Sequence, residues 1–121
     1  LETTIATYIQ SETEHVLGTD IFLAHLPKGT EEGLIVRFDT DVFNEINFNR
    51  FNVNILIMYQ DYVVSRNNFE ELLILFNSKR GTLDGSWTVS SEVTGRYLGL
   101  DRNFNRYAFS VEFEIHYEQT T

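Results

Sequence analysis

The sequence predicts an α+β domain: a mainly antiparallel β-sheet carrying two helices, in the order α-β-β-β-α-β-β-β. Three observations carry that prediction. Tyr107, Phe109, Val111, Phe113, Ile115 and Tyr117 alternate without a break with Ser110, Glu112, Glu114, His116 and Glu118, the period of a strand with one buried and one acidic face. Phe51, Val53, Ile55, Ile57 and Tyr59 alternate in the same way with Arg50, Asn52, Asn54, Leu56 and Met58. Two other stretches space their apolar residues as a helix does. Two helices are too few to cross over between all the strands, so antiparallel pairing is favoured.

Taken in order, the opening segment reads as a helix with Ile5, Ile9, Val16 and Leu17 on one side and Tyr8 beside them, stopped at Gly18. His15 falls on that helix. Residues 21–26 then read as a short strand, the Pro27-Lys28-Gly29-Thr30 stretch as a turn, and residues 33–38 as a second strand paired with the first in a hairpin. The segment from Asp39 to Asn49 is polar and breaks the strand pattern. In the long strand that follows, the second set of residues begins polar and ends apolar, so its later half is expected to be covered on both faces.

Asp61 is placed to cap a second helix by accepting bonds from its first free N–H groups. Within residues 62–77 the apolar side is Val64, Phe69, Leu72, Leu73 and Phe76, and Lys79, Arg80 and Gly81 suit its exit. Trp87, Val89 and Val93 mark a strand after an Asp84-Gly85 turn. Residues 96–100 form a short strand, and 101–105 a loop before the final long strand.

A chain of 121 residues is one domain, residues 1–121, with a globular composition: 42% hydrophobic and 14% aromatic. The formal net charge of −9 repels phosphate backbones, which argues against a conventional reader of DNA sequence. With no cysteine, disulfides, thiolate metal sites and cysteine nucleophiles are excluded. No apolar run approaches the ~18 residues of a membrane span, so no membrane partner is expected. The start, Leu1-Glu2-Thr3-Thr4-Ile5, has neither the pattern of a signal peptide nor an initiator Met, which reads as a trimmed or processed chain.

Catalytic signals are weak. His15, His25 and His116 are scattered, with no H-E-x-x-H and no close pair. Asp39, Asp41 and Glu45 lack the further oxygens and the glycine of a calcium loop, so a solvated acidic loop is the plainer reading. Glu112 and Glu114 point the same way, as an acid–base pair would, but they continue a whole acidic strand face. Ser86, Ser90 and Ser91 have no nucleophile-elbow setting. Gly95-Arg96-Tyr97-Leu98-Gly99 is followed by no helix, unlike a phosphate-binding loop. Neither an enzyme nor a cofactor is expected.

Two stretches are distinctive. One runs from the opening helix through Gly18-Thr19-Asp20-Ile21-Phe22 to Leu26-Pro27, Gly33-Leu34-Ile35-Val36 and Phe38, and resembles the start of minor capsid proteins of the tail terminator group of long-tailed bacteriophages. The other, Arg96-Tyr97-Leu98-Gly99-Leu100-Asp101 followed by residues 105–111, is similar to the closing hairpin of terminator-like proteins, where a Gly-x-Asp turn precedes an aromatic strand. Met58-Tyr59-Gln60-Asp61 entering a helix fits between them. Asn105 stands where that pattern would have glycine, and asparagine tolerates the left-handed backbone.

The resemblance implies a structural virion protein, made in the bacterial host cytoplasm and resident at the head–tail junction. It implies a homo-oligomeric ring, usually a hexamer, that ends tail tube polymerisation, contacts the tube protein and the head connector, and lets double-stranded DNA pass without reading it. Two sets of site residues follow as expectations. Phe43, Ile46 and Phe48, apolar groups in a polar loop, are the candidate subunit interface, with folding back onto their own core the alternative. Glu112, Glu114 and His116 are the candidate lumen-facing residues, with a solvated outer face the alternative. A head–tail joining or tail tube protein, and a small-ligand binding domain, remain open as other readings.

Overall fold

A computed structural model describes residues 2–30, 32–39, 50–77, 82–84, 87–89, 93–103 and 105–117. The described elements are α1 (Glu2–Glu12), β1 (Ile21–Leu23), β2 (Gly33–Asp39), β3 (Arg50–Tyr59), α2 (Tyr62–Asn77), β4 (Thr82–Asp84), β5 (Trp87–Val89), β6 (Thr94–Asp101) and β7 (Arg106–Tyr117). The fold class is α+β, with two helices on a mixed, mostly antiparallel sheet. The short strand β4 is an addition to the order that the sequence suggested.

The sheet is organised by β7. Along one edge it pairs antiparallel with β3 over its whole usable length, from Arg50 opposite His116 to Tyr59 opposite Tyr107. Its other edge is shared: β5 takes the end near Ile115 and Tyr117, and β6 takes Arg106 to Glu112. Beyond β3 come β2 and then β1, so the path reads β1-β2-β3-β7-β5-β4. The matched alternations of β3 and β7 favour this register, because a slip of one residue would put their two apolar rows on opposite faces.

Both helices pack on one face of this sheet. Val53, Ile55, Ile57, Phe109, Val111, Phe113 and Ile115 meet Ile5, Ile9, Leu72 and Phe76 there in one buried cluster. The expected core rows are therefore in place, except that the side chain of Phe51 is not among those described. Aromatic rings tie helix to sheet: Phe76 stacks on Phe113 at 4.5 Å and Phe69 on Phe109 at 4.8 Å. Gly95 makes room for the second stack, since a Cβ there would lie 2.5 Å from the Phe69 ring. Asp61 caps α2 as its position implies, accepting the N–H groups of Val63 and Val64 at 2.8 and 3.3 Å.

Three local expectations are corrected. The first helix ends at Glu12, well short of Gly18. The Thr13 hydroxyl bonds back to the Ile9 carbonyl and the Asp20 carboxylate takes the Val16 N–H, so the chain turns, His15 leaves the helix and Val16 is exposed. Val64 is also exposed, and Ser65 takes the buried position. Its hydroxyl donates to the Tyr107 carbonyl at 2.7 Å, which fastens α2 to β7. Most consequential, β1 and β2 are parallel, with Ile21 opposite Leu34 and Leu23 opposite Val36. Parallel neighbours need a connection that returns to the same end of the sheet, and residues 24–32 provide it. Finally, β3 is covered on both faces in its later half, as expected: Met58 is buried beside Ile35 and Ala108 on the side away from the helices.

A candidate interaction surface on the open sheet face

The face of the sheet opposite the helices divides into a polar half and an apolar half. The polar half is centred on β7. Glu112 lies opposite Asn54 and Glu114 opposite Asn52, both half-buried. A Glu112 carboxylate oxygen accepts the Asn54 amide at 2.9 Å, with the Ser110 hydroxyl at 3.4 Å. His116 follows in the same ladder, opposite Arg50 and Thr88, but its side chain is not among those described. Glu112 and Glu114 thus stand on the same side, as the alternation requires, in the middle of the sheet rather than at an edge.

The apolar half is a cleft of about 550 Å³. It exists because of the parallel connection. Instead of turning back as a hairpin, residues 24–30 rise over the sheet and wall off a floor made by Ile35, Leu56 and Met58. The turn that starts this wall is tight: the His25 N–H bonds to the Leu23 carbonyl at 2.8 Å while Ala24 sits at φ 69° and donates its own N–H to Val36 at 2.9 Å. An L-residue pays about 1–2 kcal/mol to sit in the left-handed region, and strain of this kind concentrates where geometry serves a purpose. The rim is basic. His25, Lys28 and Arg37 are exposed and line it, and the carboxylate in the lining, Asp101, sits opposite Arg106 in the β6–β7 ladder. In a chain with twice as many acids as Lys and Arg, Lys28 and Arg37 stand together at this rim.

A second cluster of titratable groups lies near the covered face. His15 Nδ1 meets Asp20 at 2.6 Å and its Nε2 meets Glu71 on α2 at 3.3 Å. Burial first, then the charges of Asp20, Glu32 and Glu71, push the Tyr59 phenol well above its ordinary value. The arrangement is a clasp: it ties the turn between α1 and β1 to α2. Among the described residues no group of three or more His, Asp or Glu is arranged to hold a metal ion.

Of the site residues read from sequence, Phe43, Ile46 and Phe48 lie outside the described residues. Glu112 and Glu114 are brought together, and Asn54 is added to them. The cleft was missed. Lys28 read only as part of a turn, and Arg37 only as a member of a strand. The available signal was the apolar ending of the outward row in the third strand, Leu56 and Met58, which demanded a cover. The chain matches no known family and no curated protein in sequence.

Proposed function

We propose that this chain is a structural subunit of a closed ring, of the tail terminator kind: a virion protein at the head-proximal end of a long phage tail that ends tube growth, offers a docking surface to the head connector and lets double-stranded DNA through. The observation that carries the reading is the open sheet face. A sheet whose helices all lie on one side leaves its other side to water or to neighbours. Here that side bears a central row of carboxylates next to a structured cleft. A ring requires two different surfaces on each subunit that meet head to tail and close after a whole number of copies. The cleft suits one such surface, and it is chemically distinct from the carboxylate half beside it.

In this reading the Glu112, Glu114 and His116 side faces the channel. A ring of six would carry six times the net charge of −9 in all, with the Glu112 and Glu114 carboxylates lining the passage, and like charge keeps phosphate from adhering. The chain acts by assembly and not by catalysis, and takes no cofactor.

The mass of the native particle tests the reading. A single closed stoichiometry, the same across a wide concentration range, is the expected result. Open-ended filaments would instead identify a tube protein, and a single chain at every concentration would defeat the ring. Replacing Glu112 and Glu114 by Lys should leave that mass unchanged yet impair DNA retention or ejection in a phage complementation assay.

A second reading is favoured by the cleft alone. Its volume lies within the roughly 300–1,000 Å³ of small-ligand sites. It predicts a monomer that is stabilised on binding an amphipathic anion.

A further inference from the structure

We infer that the cleft beneath residues 24–30 is the docking site for residues 39–49 of a second copy of this chain. The inference rests on the reading of the chain as a ring subunit and assigns the contact that joins one subunit to the next.

The argument begins with chemistry. The cleft presents an apolar floor of Ile35, Leu56 and Met58 under a rim that carries Lys28 and Arg37, with His25 beside them. Its occupant should be apolar along one side and negatively charged along its flank. Residues 39–49 have that character. Asp39, Asp41 and Glu45 supply three carboxylates with no Lys or Arg among them, and Phe43, Ile46 and Phe48 supply large apolar groups at intervals of two or three. The complementarity is two-fold: opposite charge at the rim and apolar contact at the floor. Charges of opposite sign across an interface fix its register and discourage wrong partners, while buried aromatic anchors supply most of its energy.

Topology favours a neighbour over the same chain. Residues 40–49 join the end of β2 to the start of β3, where Asp39 pairs with Asn52. The cleft occupies the opposite part of the same pair of strands, near Ile35 opposite Leu56 and Gly33 opposite Met58. A donor at one end of a strand pair and an acceptor towards the other define a direction. When each copy inserts its donor into the next acceptor, the contact is heterologous, and repetition generates a closed ring if the rotation permits. An isologous pair would use each surface once and stop at two.

Charge reversal on the full-length chain tests this contact. One variant reverses the rim, Lys28→Glu with Arg37→Glu. The other reverses the segment, Asp41→Lys with Glu45→Lys. Each alone should weaken assembly at least tenfold, read as the concentration at which the native particle gives way to single chains. Mixed in equal amounts, the two should assemble again, because every contact in an alternating ring then joins opposite charges. Recovery on mixing cannot come from misfolded chains, so it carries the inference even if one variant is less stable.

If the wild-type chain forms a ring and either variant forms it at unchanged concentration, the docking assignment is wrong while the ring reading stands. Recovery only when all four changes are placed in one chain, and not on mixing, would mean that the segment docks on its own cleft, and would overturn the inference. A wild-type chain that never assembles removes the ring reading itself.

Discussion

Phe113 and Glu114 are neighbours in sequence and opposites in environment. Phe113 points into the helix-covered face, where it is stacked on Phe76 and almost wholly buried. Glu114 points to the open face, opposite Asn52 and beside Glu112. The described residues of β7 and β3 alternate between the two faces in the same order, although Ala108, Ser110 and Met58 on the open side are themselves buried. The covered face is continuous and apolar from Ile57 and Phe109 at one end to Ile115 at the other. The open face changes character along its length, from carboxylates and amides to a basic-rimmed apolar cleft. The difference teaches what the fold alone requires of each side. A surface whose only task is to hold the fold can be uniform, because the hydrophobic effect is non-directional. A surface that must meet something else needs distinguishable parts.

The comparison is easiest to break at Phe113. Its truncation to Ala should cost roughly 3–5 kcal/mol in chemical denaturation, because the ring leaves a cavity between β7 and α2. An unchanged midpoint would mean that the faces are assigned the wrong way round.

Gly95→Ala comes next. The added methyl must displace Phe69 from its stack, an overpacking effect of about 1–3 kcal/mol, again read by denaturation. Replacing Asp61 by Ala removes the acceptor for two N–H groups at the start of α2 and should cost about 1 kcal/mol, with the loss visible as earlier melting of helical circular dichroism.

The smallest effect belongs to the open face. Glu114→Gln should shift the stability of the isolated chain by less than about 0.5 kcal/mol, as half-exposed positions usually do. The contrast with its neighbour Phe113 sharpens the comparison into a ratio. A loss at Glu114 as large as that at Phe113 would show that the acids serve the fold rather than a partner.

The covered face was legible in the sequence because strict alternation leaves few alternatives. Val53 to Ile57 and Phe109 to Ile115 can be buried together only when the pairing keeps both rows on one face. Asp61 was equally plain, since a cap depends on residues two and three positions away. Asn105, standing where glycine was expected, does adopt the left-handed backbone, at φ 54°. What escaped was decided by distant partners. Nothing local says that Ser65 will find the Tyr107 carbonyl, so Val64 looked the better core residue. The continuation of apolar spacing to Val16 suggested a longer helix, yet Asp20 and Thr13 turn the chain first.

The parallel pairing of β1 escaped for the same reason. A short apolar run, a Pro-Lys-Gly-Thr turn and a second run look like a hairpin, and the direction of pairing is settled by where the connection travels. That single misreading concealed the cleft, since an antiparallel turn would have left the floor of Ile35, Leu56 and Met58 without its wall. Glu112 and Glu114 share the open face as their spacing in sequence requires, while the basic half is assembled by tertiary structure and leaves only the apolar Leu56 and Met58 as a trace.

The strand on which the sheet depends comes after all the others in chain order. On the ribosome, β2, β3 and both helices emerge before β7, and the apolar row of β3 then has helices on offer but no partner along its second edge. Contacts between β3 and β7 join residues from 48 (Tyr59 to Tyr107) to 66 (Arg50 to His116) positions apart, and pairing at such separation forms slowly because loop closure precedes any gain. For the time that translation takes to reach Tyr117, the nascent chain presents an unpaired apolar strand edge of the kind that captures a second polypeptide. Slow translation of β7 would lengthen that exposure.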